Sequence, residues 1–338
     1  MAQDRKNPQD RKNPVDRTLL MNAFVAVASG AGGAILFFLA ARGTWAGMLL
    51  SYFAPLPLMI ATLGFGFASG GAGVLAGALV AGLFGSPILG LAVGAGLLLP
   101  AYLLSITALR APGTPPADTR ATSIIMVAMV FAAALSGTIL GSLVMAHGGA
   151  AGARTAITSA LLPVLRTIVQ DSQFTGNITA EELARLIINV APAIIAGSMF
   201  FMLVANIYFA GRVALISGRL SRPWPLIADT LSLPASAAAL LALSCGLVFV
   251  GGTVGIVASI FVSVLVCGFS LQGLAVVHAV TRGMSVRGGL LFALYALIAC
   301  IPPWPLLALA LVGFIDAAFH LRQRHAKTLS AKSDKRME

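Results

Sequence analysis

The chain has 338 residues, of which 58% are hydrophobic and 10% are charged, with a formal net charge of +11 at pH 7. A soluble domain carries about 25% charged residues, so this composition excludes a soluble globular protein and predicts a polytopic membrane protein. The 22 Lys and Arg residues lie mainly in the tails and in short loops between apolar runs. Because the positive-inside rule explains this placement, we expect no nucleic-acid partner.

The amino-terminal tail contains a tandem hexapeptide, QDRKNP repeated over residues 3–14. Its polar composition and its prolines, Pro8 and Pro14, cannot build a core, so the pattern predicts a disordered cytoplasmic tail over residues 1–18. A docking motif is the alternative. The other end of the chain, residues 321–338, is predicted to be a basic cytoplasmic tail.

Ten apolar runs lie between these tails. They cover about 19–41, 45–66, 68–84, 88–109, 121–146, 187–211, 235–251, 253–280, 287–301 and 304–320. An apolar helix of about 20 residues crosses a bilayer core. The runs therefore predict an all-α transmembrane helix bundle with about 8–10 crossings, in a transmembrane domain at 19–320.

Two proline clusters interrupt this pattern. The pair Pro55 and Pro57 predicts a break within the second run, because proline removes a helical hydrogen bond. The cluster Pro302-Pro303-Trp304-Pro305 predicts a tight external turn between the last two runs.

The basic residues predict the orientation. In a ten-crossing topology with the amino end inside, eighteen of the 22 Lys and Arg residues are cytoplasmic. The four outside are Arg42, Arg154, Arg166 and Arg185. This asymmetry predicts cytoplasmic termini in a bacterial inner membrane. An eight-crossing topology, in which a broken pair of runs forms re-entrant segments, keeps the same orientation.

The insert at about 148–186 is predicted to be external and to contain two helical segments. Thr179 and Glu182 form a capping-box pattern, flanked by Ile178 and Leu183 as a hydrophobic staple, which predicts a helix that starts near Ala180. Upstream, an amphipathic helix is predicted to lie on the membrane surface or to cover the bundle. Its apolar face comprises Leu161, Leu165, Ile168 and Val169.

No catalytic or metal-binding pattern occurs in the sequence. It contains no H-E-x-x-H, no G-x-S-x-G and no Walker loop, which are the signatures of common enzyme and nucleotide sites. The three cysteines, Cys245, Cys267 and Cys300, lie in apolar runs without metal-ligand spacing and are interpreted as packing residues. We therefore expect no enzymatic activity, no catalytic residue, no cofactor and no metal site.

Small residues recur at four-residue spacing in several runs. Such stripes allow close helix approach in lipid, so we interpret them as packing contacts within the chain. Docking of a partner membrane subunit on the first run is the alternative. The stripes comprise Ala26, Gly30 and Ala34 in the first run, Gly73, Gly77 and Ala81 in the third, and Gly90 and Gly94 in the fourth.

Polar side chains at membrane depth are costly and are therefore candidate ligand contacts. The candidates are Asn22, Tyr102, Asn206, Tyr208, Gln272 and Asp316. Interhelical hydrogen bonding is the simpler interpretation for Asn206 and Gln272, and His278 is interpreted as an interfacial residue. For Asp316, a local ion pair with His320, Arg322 or Arg324 is favoured over a proton or cation site.

Three segments resemble a known family. They are APLPLMIATLGFG (54–66), NIYFAGRVALISGRLSRPWP (206–225) and LVGFIDAAFHLRQR (311–324), and together they resemble the YybS-like predicted membrane proteins. That family is grouped with the S components of energy-coupling-factor vitamin transporters and with the cell-shape protein MreD. The resemblance implies a helical membrane fold that captures a small molecule or scaffolds other membrane proteins.

Two functional hypotheses follow. The first is an S-component-like subunit that binds a small solute and needs a membrane coupling subunit and an ATPase as partners. The second is an MreD-like scaffold that binds envelope or cell-shape proteins. In both hypotheses the lipid bilayer is the immediate surrounding of the chain.

Overall fold

A computed structural model describes residues 14–110, 119–171, 178–220, 224–225, 227–319 and 322 of the chain. Most of these residues are helical, and no strand occurs among them, so the fold is all-α as predicted. The predictions for residues 1–13 of the amino-terminal tail and for the basic tail beyond Arg322 lie outside the described residues, whereas residues 14–18 are helical. His320 lies outside them as well.

Fourteen α-helices occur in the described part of the chain. They are α1 (Pro14–Phe38), α2 (Trp45–Ser51), α3 (Leu56–Phe65), α4 (Phe67–Phe84), α5 (Pro87–Val93), α6 (Leu99–Leu109), α7 (Arg120–Ala146), α8 (Ala150–Asp171), α9 (Ala180–Ile216), α10 (Ile227–Thr230), α11 (Ala235–Val248), α12 (Gly252–Val280), α13 (Arg287–Cys300) and α14 (Trp304–Phe319). The ten predicted runs match helices or helix pairs in this order. The largest difference is at α9, which extends from the capping box to Ile216.

Among the described residues, seven apolar helical segments are long enough to cross a membrane. They are Leu19–Arg42, Trp45–Phe65, Phe67–Phe84, Pro87–Leu109, Arg120–Ala146, Ala180–Ile216 and Gly252–Val280. Three shorter apolar helices, α11, α13 and α14, have 14, 14 and 16 residues. At about 1.5 Å per residue each is about 21–24 Å long, which is less than the ~30 Å of a bilayer core.

The chain divides into two compact units. Unit 1 comprises Met1–Ala111 and Met202–Trp224, and unit 2 comprises Pro112–Phe201 and Pro225–Glu338. Helix α9 therefore supplies residues to both units.

The crossing of α1 and α4 forms the centre of unit 1. Gly30 faces Gly73 and Gly77 so closely that an added Cβ would overlap the Gly73 carbonyl and lie 2.6 Å from the Gly77 nitrogen. Ala34 and Ala81 are fully buried. The predicted stripes of the first and third runs thus pack within the chain, which favours the packing interpretation over partner docking.

Unit 2 is organised around α12, which packs along α14 and also contacts α11 and α7. The approach of α12 and α14 depends on two glycines that the sequence analysis did not single out. A Cβ at Gly273 would overlap the Leu309 carbonyl, and one at Gly313 would overlap the Phe269 carbonyl. As in unit 1, glycines allow the two helix backbones to approach closely and so increase the contact area between the helices.

Both proline clusters lie at points where helices end, so the predicted break and the predicted turn are confirmed, whereas the external position of the turn stays a prediction. The second run is broken between α2 and α3, at residues 52–55, and a turn at residues 301–303 joins α13 to α14. The fourth run contains an unpredicted feature, a π-helical turn over Gly94–Leu98, in which the amide of Leu99 donates to the Gly94 carbonyl. Pro100 follows this turn and has no amide hydrogen to continue an α-helical pattern.

Candidate functional site

The break between α2 and α3 rearranges backbone hydrogen bonds inside unit 1. In an α-helix the Tyr52 carbonyl would accept from the amide of residue 56. The Leu56 amide instead donates to Phe53 at 3.0 Å, and Pro55 has no amide hydrogen to offer. The Leu56 amide is therefore not donated to the Tyr52 carbonyl, as it would be in a continuous α-helix.

Asn206 on α9 supplies a side-chain donor to the Tyr52 carbonyl. Its Nδ2 donates to the Tyr52 carbonyl at 2.7 Å and to the Met202 carbonyl, one turn earlier on α9, also at 2.7 Å. Since both neighbours are acceptors, the amide nitrogen must face them, and the Oδ1 atom must face away. Asn206 is only 1% exposed, so its side chain faces protein and not lipid.

The Asn206 Oδ1 atom is the notable feature of this site. It is buried and accepts no hydrogen bond from any of the described residues. A buried polar atom without a partner costs about 1–3 kcal/mol and is uncommon in folded proteins. The site therefore presents one unused acceptor beside a broken membrane helix.

The other candidates of unit 1 do not join this site through hydrogen bonds among the described residues. The Tyr102 ring lies against α4, where a Cβ at Gly70 would be 2.8 Å from it. Tyr208 is 42% exposed and stacks edge-on against Phe209. Asn22 is half-buried on α1. Their assignment as ligand contacts stays a prediction.

In unit 2 the structure brings Gln272 and Asp316 together. Gln272 Nε2 donates to Asp316 Oδ2 at 2.9 Å, between α12 and α14. Arg322 completes the pair, because its Nη2 lies 2.8 Å from the same carboxylate oxygen. The local ion pair predicted for Asp316 is thus confirmed, with Arg322 as the partner.

This cluster also holds the segment that precedes α11. Gln272 Oε1 accepts from the Leu233 amide at 2.8 Å. The Arg322 guanidinium donates to the Ala228 carbonyl at 3.0 Å and to the Leu231 carbonyl. Both Gln272 and Asp316 therefore have their polar atoms used within the protein, which favours a structural role for the pair.

The insert at about 148–186 forms two helices among the described residues, and α8 packs against the start of α9. The capping box is confirmed: the Thr179 amide donates to Glu182 at 2.9 Å, and the Glu182 amide donates to the Thr179 hydroxyl at 3.2 Å. Leu165 on α8 is buried with Ala180 and Ala184 on α9. The predicted amphipathic helix thus uses its apolar face to cover α9.

Among the described residues, no group of three or more His, Cys, Asp or Glu side chains is placed to hold a metal ion. The buried Cys267 packs near Gly197 on α9, whose Cβ position would lie 3.3 Å from the sulfur. His278 contacts the Tyr295 hydroxyl at 3.0 Å.

Together, the apolar helices and the buried polar contacts between them define a polytopic, all-α helical membrane protein. The chain belongs to the family of predicted membrane proteins DUF2232, whose match covers residues 33–317. This is the YybS-like family that the three sequence segments resemble. Comparisons with curated proteins and with solved structures found no match.

Proposed function

We propose that this chain is a membrane-embedded subunit that binds a small organic solute with a hydrogen-bond donor. The single observation that carries the proposal is the Asn206 Oδ1 atom, which is buried and lacks a donor among the described residues. A solute N–H or O–H group at that position would satisfy it.

The helix break supports the same location. Non-helical backbone at membrane depth is tolerated where it is buried in protein or lines a cavity, and broken helices mark the substrate sites of many transporters. Here the break at residues 52–55 and the unused acceptor belong to one hydrogen-bonded arrangement, joined by the Asn206–Tyr52 bond. The role is one of binding and not of catalysis.

Coupling of this binding to energy would use partner proteins. The sequence has no Walker loop, so ATP-driven transport would need a membrane coupling subunit and a separate ATPase, as in the S-component systems. We place the chain in a bacterial cytoplasmic membrane with both termini inside. Reporter fusions of green fluorescent protein and alkaline phosphatase to each terminus test the orientation, and phosphatase activity at either end would contradict it.

The binding proposal is tested with the purified full chain. Thermal stability is measured with a panel of vitamins and other small solutes that carry N–H or O–H groups, for the wild type, Asn206→Leu and Thr62→Val. Thr62 is fully buried on α3 and donates to the Leu58 carbonyl at 2.8 Å, so Thr62→Val is a matched control that removes a buried polar group but retains Asn206.

We expect at least one solute to stabilise the wild type and Thr62→Val but not Asn206→Leu. Copurification of an ATPase or coupling subunit from native membranes would support the transport role. Absence of any thermal shift together with clean isolation of the chain alone would contradict the proposal. A cell-shape defect on depletion that no nutrient relieves would then favour the MreD-like scaffold.

A further inference from the structure

A groove of about 530 Å³ lies in unit 2 between α8 and the first turns of α9. Six of its eight lining residues carry polar or charged groups, and two of these residues are arginines. The lining residues are Arg154, Thr155, Thr158, Ser159, Leu162, Glu181, Arg185 and Ile188. This groove shares no residue with the Asn206 site, and its ligand is independent of the proposed function.

The charges of the groove are unevenly compensated. Glu181 is paired with Arg166, whose Nη2 lies 3.0 Å from Glu181 Oε1. Glu182 is engaged by the Thr179 amide in the capping box, although both carboxylates also attract Arg185. Arg154 and Arg185 form no salt bridge within the described part of the chain, so the groove keeps an excess of positive charge.

The hydroxyl groups add further polar capacity. Thr155 and Ser159 donate to carbonyls of their own helix, at 3.1 and 2.9 Å. Thr158 is half-buried, and among the described residues its hydroxyl forms no hydrogen bond. Its proton can therefore be offered to an anion, beside guanidinium groups that bind phosphate or carboxylate through two parallel hydrogen bonds.

The groove lies where α9 changes from charged to apolar residues, so part of its lining is apolar. Helix α9 has 37 residues and is about 55 Å long at 1.5 Å per residue, so it extends well beyond a ~30 Å bilayer core. Its charged residues Glu181 and Arg185 precede the apolar stretch that begins near residue 187. Leu162 and Ile188, on the two facing helices, are half-buried apolar contacts at this transition.

We infer that the α8–α9 groove binds the anionic head of an amphiphile. Arg154, Arg185 and Thr158 contact the phosphate or carboxylate, while Leu162 and Ile188 contact the first carbons of the apolar chain. The anion can come from a phospholipid or from a soluble amphiphile, because both present the same chemistry to the groove.

The experiment compares binding by native mass spectrometry of the full chain in detergent. The lipid arm uses phosphatidylglycerol against phosphatidylcholine, and the soluble arm uses octyl phosphate against octyl glucoside. The variants are Arg154→Gln/Arg185→Gln and a control of equal charge change, Arg42→Gln/Arg110→Gln. Arg42 and Arg110 are exposed arginines outside the groove.

We expect the wild type and the control to prefer an anionic probe, and the groove variant to lose that preference at least five-fold. A loss confined to phosphatidylglycerol identifies a lipid site, and a loss confined to octyl phosphate identifies a soluble ligand. Equal losses in the groove variant and the control would overturn the inference, as would an unchanged preference in the groove variant.

Thr158→Trp keeps the test decisive if the double variant does not fold. The indole would fill the groove while both arginines remain. The same five-fold loss is expected, and unchanged anion binding by a folded Thr158→Trp protein would overturn the inference.

Discussion

The side-chain amide of Asn206 and the backbone carbonyl of Tyr52 are 154 positions apart in sequence and 2.7 Å apart in unit 1. The prolines break the second apolar run, so the Leu56 amide donates to the Phe53 carbonyl and not to the Tyr52 carbonyl. Asn206, on the later helix α9, donates to the Tyr52 carbonyl instead. In the bilayer core this side-chain hydrogen bond matters, because no water is present there to donate to a backbone carbonyl at a helix break. The helix break and the polar residue on α9 are therefore parts of one structure.

Asn206→Leu should destabilise the protein by ~0.6–2 kcal/mol, the range for interhelical hydrogen bonds in membranes, because the hydrogen bond from Asn206 to the Tyr52 carbonyl is lost. Thermal unfolding in detergent measures the change. Asn22→Leu is the control, since Asn22 is half-buried on α1 and forms no hydrogen bond among the described residues. Equal melting temperatures for the two variants would show that the Tyr52 contact contributes nothing.

Asp316→Asn should cost about 3–5 kcal/mol, because it leaves the guanidinium of Arg322, whose side chain is 14% exposed, without its counter-charge. The matched control is Asp229→Asn. The Asp229 carboxylate pairs with Arg282 at 2.7 Å, but the side chains are 36% and 49% exposed, so about 0.2–1 kcal/mol is expected.

The double variant Asp316→Leu/Arg322→Met should recover much of the loss, since replacing both members of a buried pair by apolar residues is often close to neutral. Unfolding free energies of all four proteins are compared. A double variant as unstable as Asp316→Asn would contradict this account of the ion pair.

Gly30→Ala should destabilise the protein by about 1–3 kcal/mol, the usual cost of overpacking, because the new methyl group overlaps the backbone of α4 at Gly73. Gly137→Ala on α7 adds the same methyl group where nothing lies within 4 Å, so no steric cost is expected. The measurement is the amount of folded protein in membranes together with its melting temperature. Tolerance of both substitutions would contradict the close α1–α4 crossing.

Thr179→Ala should weaken the first turn of α9 by ~0.5–2 kcal/mol, the cost of losing an N-cap, because the Glu182 amide loses its acceptor. Hydrogen exchange of the amides at residues 181–184 reports this locally and should become faster. Thr167→Ala is the control, since Thr167 is exposed and only donates to the carbonyl of Pro163 on its own helix. Unchanged exchange in Thr179→Ala would contradict the capping role.

Local patterns in the sequence predicted most helix boundaries. The Thr179–Glu182 pattern located the start of α9, because a capping box joins residues only three positions apart. Pro55 located the break before α3, because proline acts on the turn that contains it. In both cases the interaction that decides the structure lies within a few residues of the chain.

The contacts between helices depended on the tertiary structure. Gln272 and Asp316 were both recognised as polar residues at depth, but no sequence pattern paired them across 44 positions. Gly273 and Gly313 were not singled out at all, although they permit the closest approach in unit 2. A helix that is apolar on every side does not reveal which face is inward, so the partners of its few polar and small residues are decided only when the helices pack.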